Sequence, residues 1–203
     1  MEYDECKLTE LVATRISHDL AGGIGSLGNM LDCMDVGENL DAEDKNILDN
    51  VAQSLSARQK FLRIAFGVET KSMSADDLRD ICEKYLTTVG SRTYKITLKL
   101  KNIIPDLAKY ICLCLMIGTE IVIKNASIEI EVNKKNIAIK VCSDSDLSAT
   151  KINSYRQILE GKILDDGEAS QLVHLIYLRK ILGKDVPIKL DVVNGKEAGF
   201  VIG

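Results

Sequence analysis

Residues 8–34 read LTELVATRISHDLAGGIGSLGNMLDCM. Leu8, Val12, Ile16, Leu20, Ile24, Leu27, Leu31 and Met34 recur there every three or four positions, which is one face of a helix. Gly37 stops it. Asp41 is placed to cap a second helix, with Asp44 three residues on. That helix carries Ile47, Leu48, Val51, Leu55, Leu62, Ala65 and Phe66 and ends at Gly67. The short joining loop predicts an antiparallel hairpin. Two helices with continuous apolar stripes do not close a core alone. The expectation is a homodimer whose two hairpins make a four-helix bundle, the alternative being that the stripes pack on the rest of the chain.

The rest of the chain has a different pattern. Ser74 is placed to cap a helix over 75–88. Residues 94–101 alternate as a strand, Pro105 opens a helix to about 122, and 127–133 and 136–142 form a strand pair around Lys134-Lys135. Helices follow over 149–160 and 168–182, the second stopped by Gly183. Strands over 187–193 and 198–202 close the chain around Asn194-Gly195, a strong hairpin signal. The fold class is therefore α+β. A helical domain spans 1–70 and an α/β domain, a mixed sheet with helices on one face, spans 71–203.

Composition narrows the function. The chain has 203 residues, 46% hydrophobic and 28% charged, enough for a sizeable core built mainly from Leu, Ile, Val and Met. No apolar run approaches the ~18–20 residues of a membrane span, and the acidic opening MEYDECKLTE is no secretory signal. A cytoplasmic location is expected. The net charge of −4 is unevenly placed: residues 1–70 carry 6 basic and 13 acidic side chains, residues 71–203 carry 20 and 17. The acidic first part argues against nucleic-acid binding. Six cysteines without a C-x-x-C read as small buried hydrophobes and make no metal site.

Two histidines are present. His174 reads as a partly buried or surface residue of an amphipathic helix. His18 lies about 200° from Ile16 at ~100° per residue, nearly opposite the apolar stripe. Leu11 and Asn29 share that azimuth, and Gly22 and Gly25 flank it. Glycines stand at 22, 23, 25 and 28, each costing about 1 kcal/mol inside a helix relative to alanine. They mark a helix break, a close helix crossing, or clearance for another protein beside His18. An exposed imidazole among small residues lacks the further ligands of a metal site and the pocket of a hydrolase. It suits a surface nucleophile that accepts and returns a phosphoryl group. Asp19 is placed to hold the imidazole tautomer or assist proton transfer. Arg15, one turn earlier, is placed to steady the phosphoryl group or to meet an acidic partner, or else is a surface ion pair.

The stretch Leu11-Val-Ala-Thr-Arg15-Ile-Ser-His18-Asp19-Leu20-Ala-Gly22, with Gly25, Asn29 and the later Arg63-Ile-Ala-Phe66-Gly67, resembles the ChpT-like histidine phosphotransferases. The family usually has proline where Gly23 stands, and often glycine where Met30 stands. The resemblance implies a dimeric helical hairpin like that of sensor histidine kinases, followed by a degenerate histidine-kinase ATPase-like α/β sandwich unable to use ATP. It implies transfer of a phosphoryl group between the receiver-domain Asp of a hybrid histidine kinase and those of response regulators, through His18. Gly22, Gly25 and Asn29 would then belong to the docking face. No cofactor is expected in this chain, Mg²⁺ arriving with the receiver domain.

Kinases of that type carry an Asn on the long helix and D-x-G-x-G after a strand. Helix 105–122 has no Asn, Val141-Cys-Ser-Asp144-Ser-Asp146 lacks both glycines, and Asp165-Asp166-Gly167-Glu168 replaces a glycine-rich lid. Those acidic residues read as a helix N-terminus, and Asp32, Asp35, Glu38, Asp41, Glu43 and Asp44 as a solvated hairpin tip. Two other functions fit the residues: a dimeric adaptor in which His18 is incidental, and an active kinase with unusual ATP motifs.

Overall fold

The computed structural model describes residues 3–33, 41–67, 73–89, 94–134 and 136–203. Met34, Asp35, Gly37, Glu38, Lys135 and the expected 70/71 boundary lie outside them. Helix α1 runs Glu5–Cys33 and α2 runs Ala42–Phe66. The Asp41 carboxylate accepts from the amides of Glu43 and Asp44, each at 2.8 Å, as the sequence predicts. The two helices pack antiparallel: Gly23 faces Leu55, and one turn lower the Asp19 carbonyl accepts from Arg58 at 2.7 Å.

Helix α3 (Ala75–Val89) opens on a reciprocal cap, the Asp77 amide donating to Ser74 Oγ at 3.0 Å and that hydroxyl to Asp77 Oδ2 at 2.6 Å. Strand β1 (Ile96–Lys101), a 3-10 turn at Pro105–Leu107, α4 (Ala108–Glu120), β2 (Ala126–Val132) and β3 (Ile137–Ser143) follow. Then come α5 (Ala149–Leu159), α6 (Asp166–Gln171), α7 (Val173–Leu182), β4 (Ile188–Val193) and β5 (Glu197–Ile202). The sheet order is β1-β2-β3-β5-β4. The β1–β2 pair, joined across α4, is parallel and the others are antiparallel. Asn194 and Gly195, with φ 55° and 67°, make the expected tight β4–β5 turn. The fold is α+β, as the sequence indicates.

Alternation decides the sheet's faces. Ile128, Ile130, Ile139, Val141, Phe200 and Ile202 are buried on the inner face; β2 and β3 pack on α4, which is buried from Ile111 to Thr119, and Phe200 meets Tyr155 edge-on. The outer face carries solvated pairs, Lys101–Glu129 at 2.5 Å and Lys99–Glu129 at 3.6 Å. Leu8, Leu11, Phe61, Leu62 and Ala65 of the hairpin belong to the same packed cluster as α3, α4 and the sheet. One core thus runs from the base of the hairpin into the α/β part. At that base the stripes therefore pack on the rest of the chain, whereas Ile24, Leu31 and Ile47 higher up are exposed. Among the described residues, no helix is long and apolar enough to cross a membrane.

Three expectations need correction. The helix expected over 168–182 is two, because Leu172 (φ −103°, ψ 14°) breaks it. The Leu175 amide turns to the Leu172 carbonyl at 3.1 Å and so leaves the Gln171 carbonyl free for another donor. His174 is fully buried rather than at the surface, its Nε2 2.8 Å from the Tyr155 hydroxyl, which also lies 3.2 Å from the Ile117 carbonyl. Cys82, Cys112 and Cys114 are buried as expected, but Cys6 is exposed and Cys142 half-buried.

Burial, with Arg15 and Lys151 nearby, pushes the His174 pKa well below the ordinary value of 6.5. The unfolded chain therefore binds a proton near pH 6 that the folded chain does not, and stability falls as pH drops through about 6.5. We expect unfolding by urea to show a loss on the order of 1 kcal/mol between pH 7.5 and 5.5 from this residue. His174→Leu should flatten that step.

Candidate phosphotransfer site

His18 sits midway along α1 with 84% of its side chain exposed. Helix α1 continues unbroken through the glycines, so they do not end it. They divide instead into two kinds. A Cβ at Gly23 would overlap a Leu55 methyl and stand 2.8 Å from Leu55 Cγ, so Gly23 serves the close crossing of α1 and α2. A Cβ at Gly22, Gly25 or Gly28 would meet nothing within 4 Å. Gly22, Gly25, His18 and Asn29 are all exposed, and together they leave an open strip of helix.

Leu11 corrects the helical-wheel picture. It shares the His18 azimuth, yet it is buried, because α6 and α7 lie along the lower part of α1. The face that is open at His18 is therefore closed about 10 Å below, seven residues at ~1.5 Å each. His18 stands just above the junction of the hairpin and the α/β part. The junction is pinned at its far end as well: Lys7 meets Asp166 at 2.6 Å, and the Leu164 amide donates to the Tyr3 hydroxyl at 2.9 Å. The acidic segment 165–168 is the helix N-terminus expected of it. Asp165 accepts from the Glu168 amide at 3.1 Å, and Glu168 bonds the Ser154 hydroxyl.

Asp19 lies on the flank of α1, its side chain 12% exposed. Its Oδ1 is 3.6 Å from His18 Nδ1, an ion-pair distance rather than a hydrogen bond. Its Oδ2 accepts from Arg15 Nε at 2.9 Å. Arg15 is turned into the molecule. Its Nη1 and Nη2 stand 3.3 and 3.4 Å from Glu120 Oε2, and Nη1 also donates to the Gln171 carbonyl. That carbonyl is the one released by the α6–α7 break, and a cation there also suits the C-terminal end of α6. Burial opposes the charge on Arg15, but Asp19 and Glu120 outweigh it and hold the guanidinium firmly protonated. Of the three roles expected of Arg15 (steadying a phosphoryl group, meeting an acidic partner, forming an ion pair), the structure shows the ion pair: every donor just named points to an acceptor within the chain.

Glu120 in turn meets Lys151 at 3.2 Å through Oε1, and Lys151 Nζ donates to Gln171 Oε1 at 2.5 Å. Arg58 ties the same neighbourhood to α3, its Nε 3.2 Å from Thr88 Oγ1. His18 and Asp19 are neighbours in the sequence and are legible in it; Glu120, Lys151 and Arg58, which surround Asp19 and Arg15 in the fold, are not. Glu120 is 105 positions from Arg15. Its local signal is a charge that follows the apolar run Ile111–Ile117 of α4. Among the described residues, no group of three or more His, Cys, Asp or Glu could hold a metal ion.

A solved bacterial phosphotransferase has this fold. It superposes with a TM-score of 0.78 at 18% identity, covering 100% of this chain and 98% of that one. The histidine kinase AdeS of Acinetobacter baumannii superposes at 0.41, with 15% identity over 91% of this chain and 95% of that one. A histidine kinase from Burkholderia phymatum STM815 superposes at 0.40, with 12% identity over 94% and 95%. No protein-family model matches the sequence, and no curated protein does.

Proposed function

We propose that the chain is a histidine phosphotransferase that relays a phosphoryl group between receiver-domain aspartates through His18, without using ATP. The observation that carries this reading is an exposed imidazole, with a carboxylate at its Nδ1, on a helix strip cleared by Gly22 and Gly25. Asp19 favours the tautomer with its proton on Nδ1, which leaves the Nε2 lone pair facing outward. Nε2 attacks the phosphorus of an aspartyl phosphate, a P–N bond forms, the P–O bond to the aspartate breaks, and the carboxylate departs with the electron pair. Return to a second receiver reverses these changes. Mg²⁺, which screens the phosphoryl oxygens, comes with the receiver domain.

The further parts of the proposal follow from the same features. Gly22, Gly25 and Asn29 form the docking face. The exposed Ile24, Leu31 and Ile47 support a homodimer with a four-helix bundle, since they extend an apolar stripe that this chain leaves uncovered. The α/β part is read as a degenerate ATPase-like domain, because Asp165, Asp166 and Glu168 are committed to a helix cap, Lys7 and Ser154 where a lid would close on phosphates.

The experiment is transfer from a phosphate-labelled receiver domain to the purified chain. Acid-labile, alkali-stable label mapped to His18 is expected. A receiver that docks while no label ever appears would replace this reading with the adaptor. Labelling from ATP alone would replace it with the kinase.

The glycines give an independent check. Gly22→Ala and Gly25→Ala should each raise stability by up to about 1 kcal/mol, since the new methyl meets nothing and helix propensity improves. Transfer should fall by about tenfold or more, because displacement of the docked partner by about an ångström costs up to about 10²-fold. Melting and single-turnover transfer on the same samples should therefore move in opposite directions.

A further inference from the structure

We propose that Glu120 is a positioning residue for the His18 reaction: from the α/β part it holds Arg15 so that one oxygen of Asp19 stays available to the His18 ring. The inference rests on the relay reading above and names a task for the second half of the chain within it.

Asp19 has two oxygens and two claimants. Oδ2 goes to Arg15 Nε at 2.9 Å, and Oδ1 faces His18 Nδ1 at 3.6 Å. A guanidinium and a carboxylate, left to themselves, prefer a two-pronged contact that would take both oxygens. Here the other edge of the Arg15 fork is occupied by Glu120 Oε2 and by the Gln171 carbonyl. Glu120 is itself held by Lys151 from α5. Signs therefore alternate along Asp19, Arg15, Glu120 and Lys151, and these side chains are between 12 and 21% exposed. Arg58 fixes the Asp19 backbone from α2. In so shielded a place, ion pairs are screened far less than at the surface. Removing the Glu120 charge frees Arg15 to swing onto both oxygens of Asp19, and Oδ1 is then lost to His18. Without that negative oxygen beside Nδ1 the ring reverts toward the tautomer that imidazole prefers in water, with the proton on Nε2 and the reactive lone pair hidden.

The test uses the full chain with ¹⁵N-labelled histidine. Long-range ¹H–¹⁵N correlations report the His18 tautomer without any partner. Single-turnover transfer from a labelled receiver domain, at several receiver concentrations, separates the maximal rate from half-saturation. Glu120→Ala should shift the ring toward the Nε2–H form and lower the maximal rate by about 10- to 100-fold, up to the lower end of the range for proton-transfer assistance, since Glu120 acts only through Asp19. Half-saturation should stay unchanged. Glu120→Gln keeps the shape and one acceptor, guards against a misfolded alanine variant, and should fall between the two. A folded variant with the wild-type tautomer and maximal rate overturns the proposal, as does a change confined to half-saturation, which would mark Glu120 as a docking residue. Absence of His18 label on the wild-type chain would instead sink the relay reading, whatever the tautomer.

Discussion

His18→Ala is expected to lower phosphoryl transfer by more than about 10³-fold, to below detection, because the nucleophile itself is lost and not merely its assistance. The side chain is 84% exposed and makes no core contact, so the variant should fold and melt like the wild type. Asp19→Asn is the informative companion. Its amide would offer the oxygen to Arg15 Nε and turn the NH₂ toward His18 Nδ1. A donor there stabilises the tautomer whose Nε2 carries the proton, which blocks attack. A loss of about 10²- to 10⁴-fold should follow, with receiver binding retained. Transfer by the asparagine variant at the wild-type rate would remove Asp19 from the mechanism.

Phe61→Ala is expected to be the most damaging change outside the site. The ring is fully buried and stacked on Tyr85, centroids 3.6 Å apart and planes 2° from parallel. Phenylalanine-to-alanine changes in cores cost about 3–5 kcal/mol. For a chain of this size that is a fall in melting temperature of roughly 6–20 °C. Phe61 belongs to the hairpin and Tyr85 to α3, so the loss should be felt on both sides at once. Calorimetry should show a single transition that moves as a whole. Two transitions, only one of them moved, would mean that residues 1–70 and 71–203 fold as separate units.

Periodicity and turn chemistry made much of this legible. The Asp41 and Ser74 caps, the Asn194-Gly195 turn and the alternation in β2 and β3 are local signals, carried by residues within a few positions of each other. His18 was legible because exposure on a helix follows from azimuth alone. Leu11 was misread by the same rule, since azimuth says which way a side chain points and nothing about what later segments cover it. The break at Leu172 and the depth of His174 were hidden for a related reason. Both involve partners outside the local stretch: the carbonyl beside the break is taken by Arg15, and the His174 ring meets Tyr155. Glu120 could not be tied to Asp19 by any spacing, because the link passes through a guanidinium 105 residues distant.

The shared core at the base of the hairpin has a consequence for encounter kinetics. Any swivel between α1 and the α/β part would have to pull Leu8, Leu11, Phe61 and Leu62 out of contact and wet them, at a cost of about 1.5–3 kcal/mol for each large side chain. In the proposed relay, an incoming receiver domain would meet the histidine and the neighbouring second half already in register, and would spend none of its binding energy on bringing them together. A junction held rigid in this way would suit the short-lived complexes that the proposed relay requires, in which loading, release and reloading follow one another quickly.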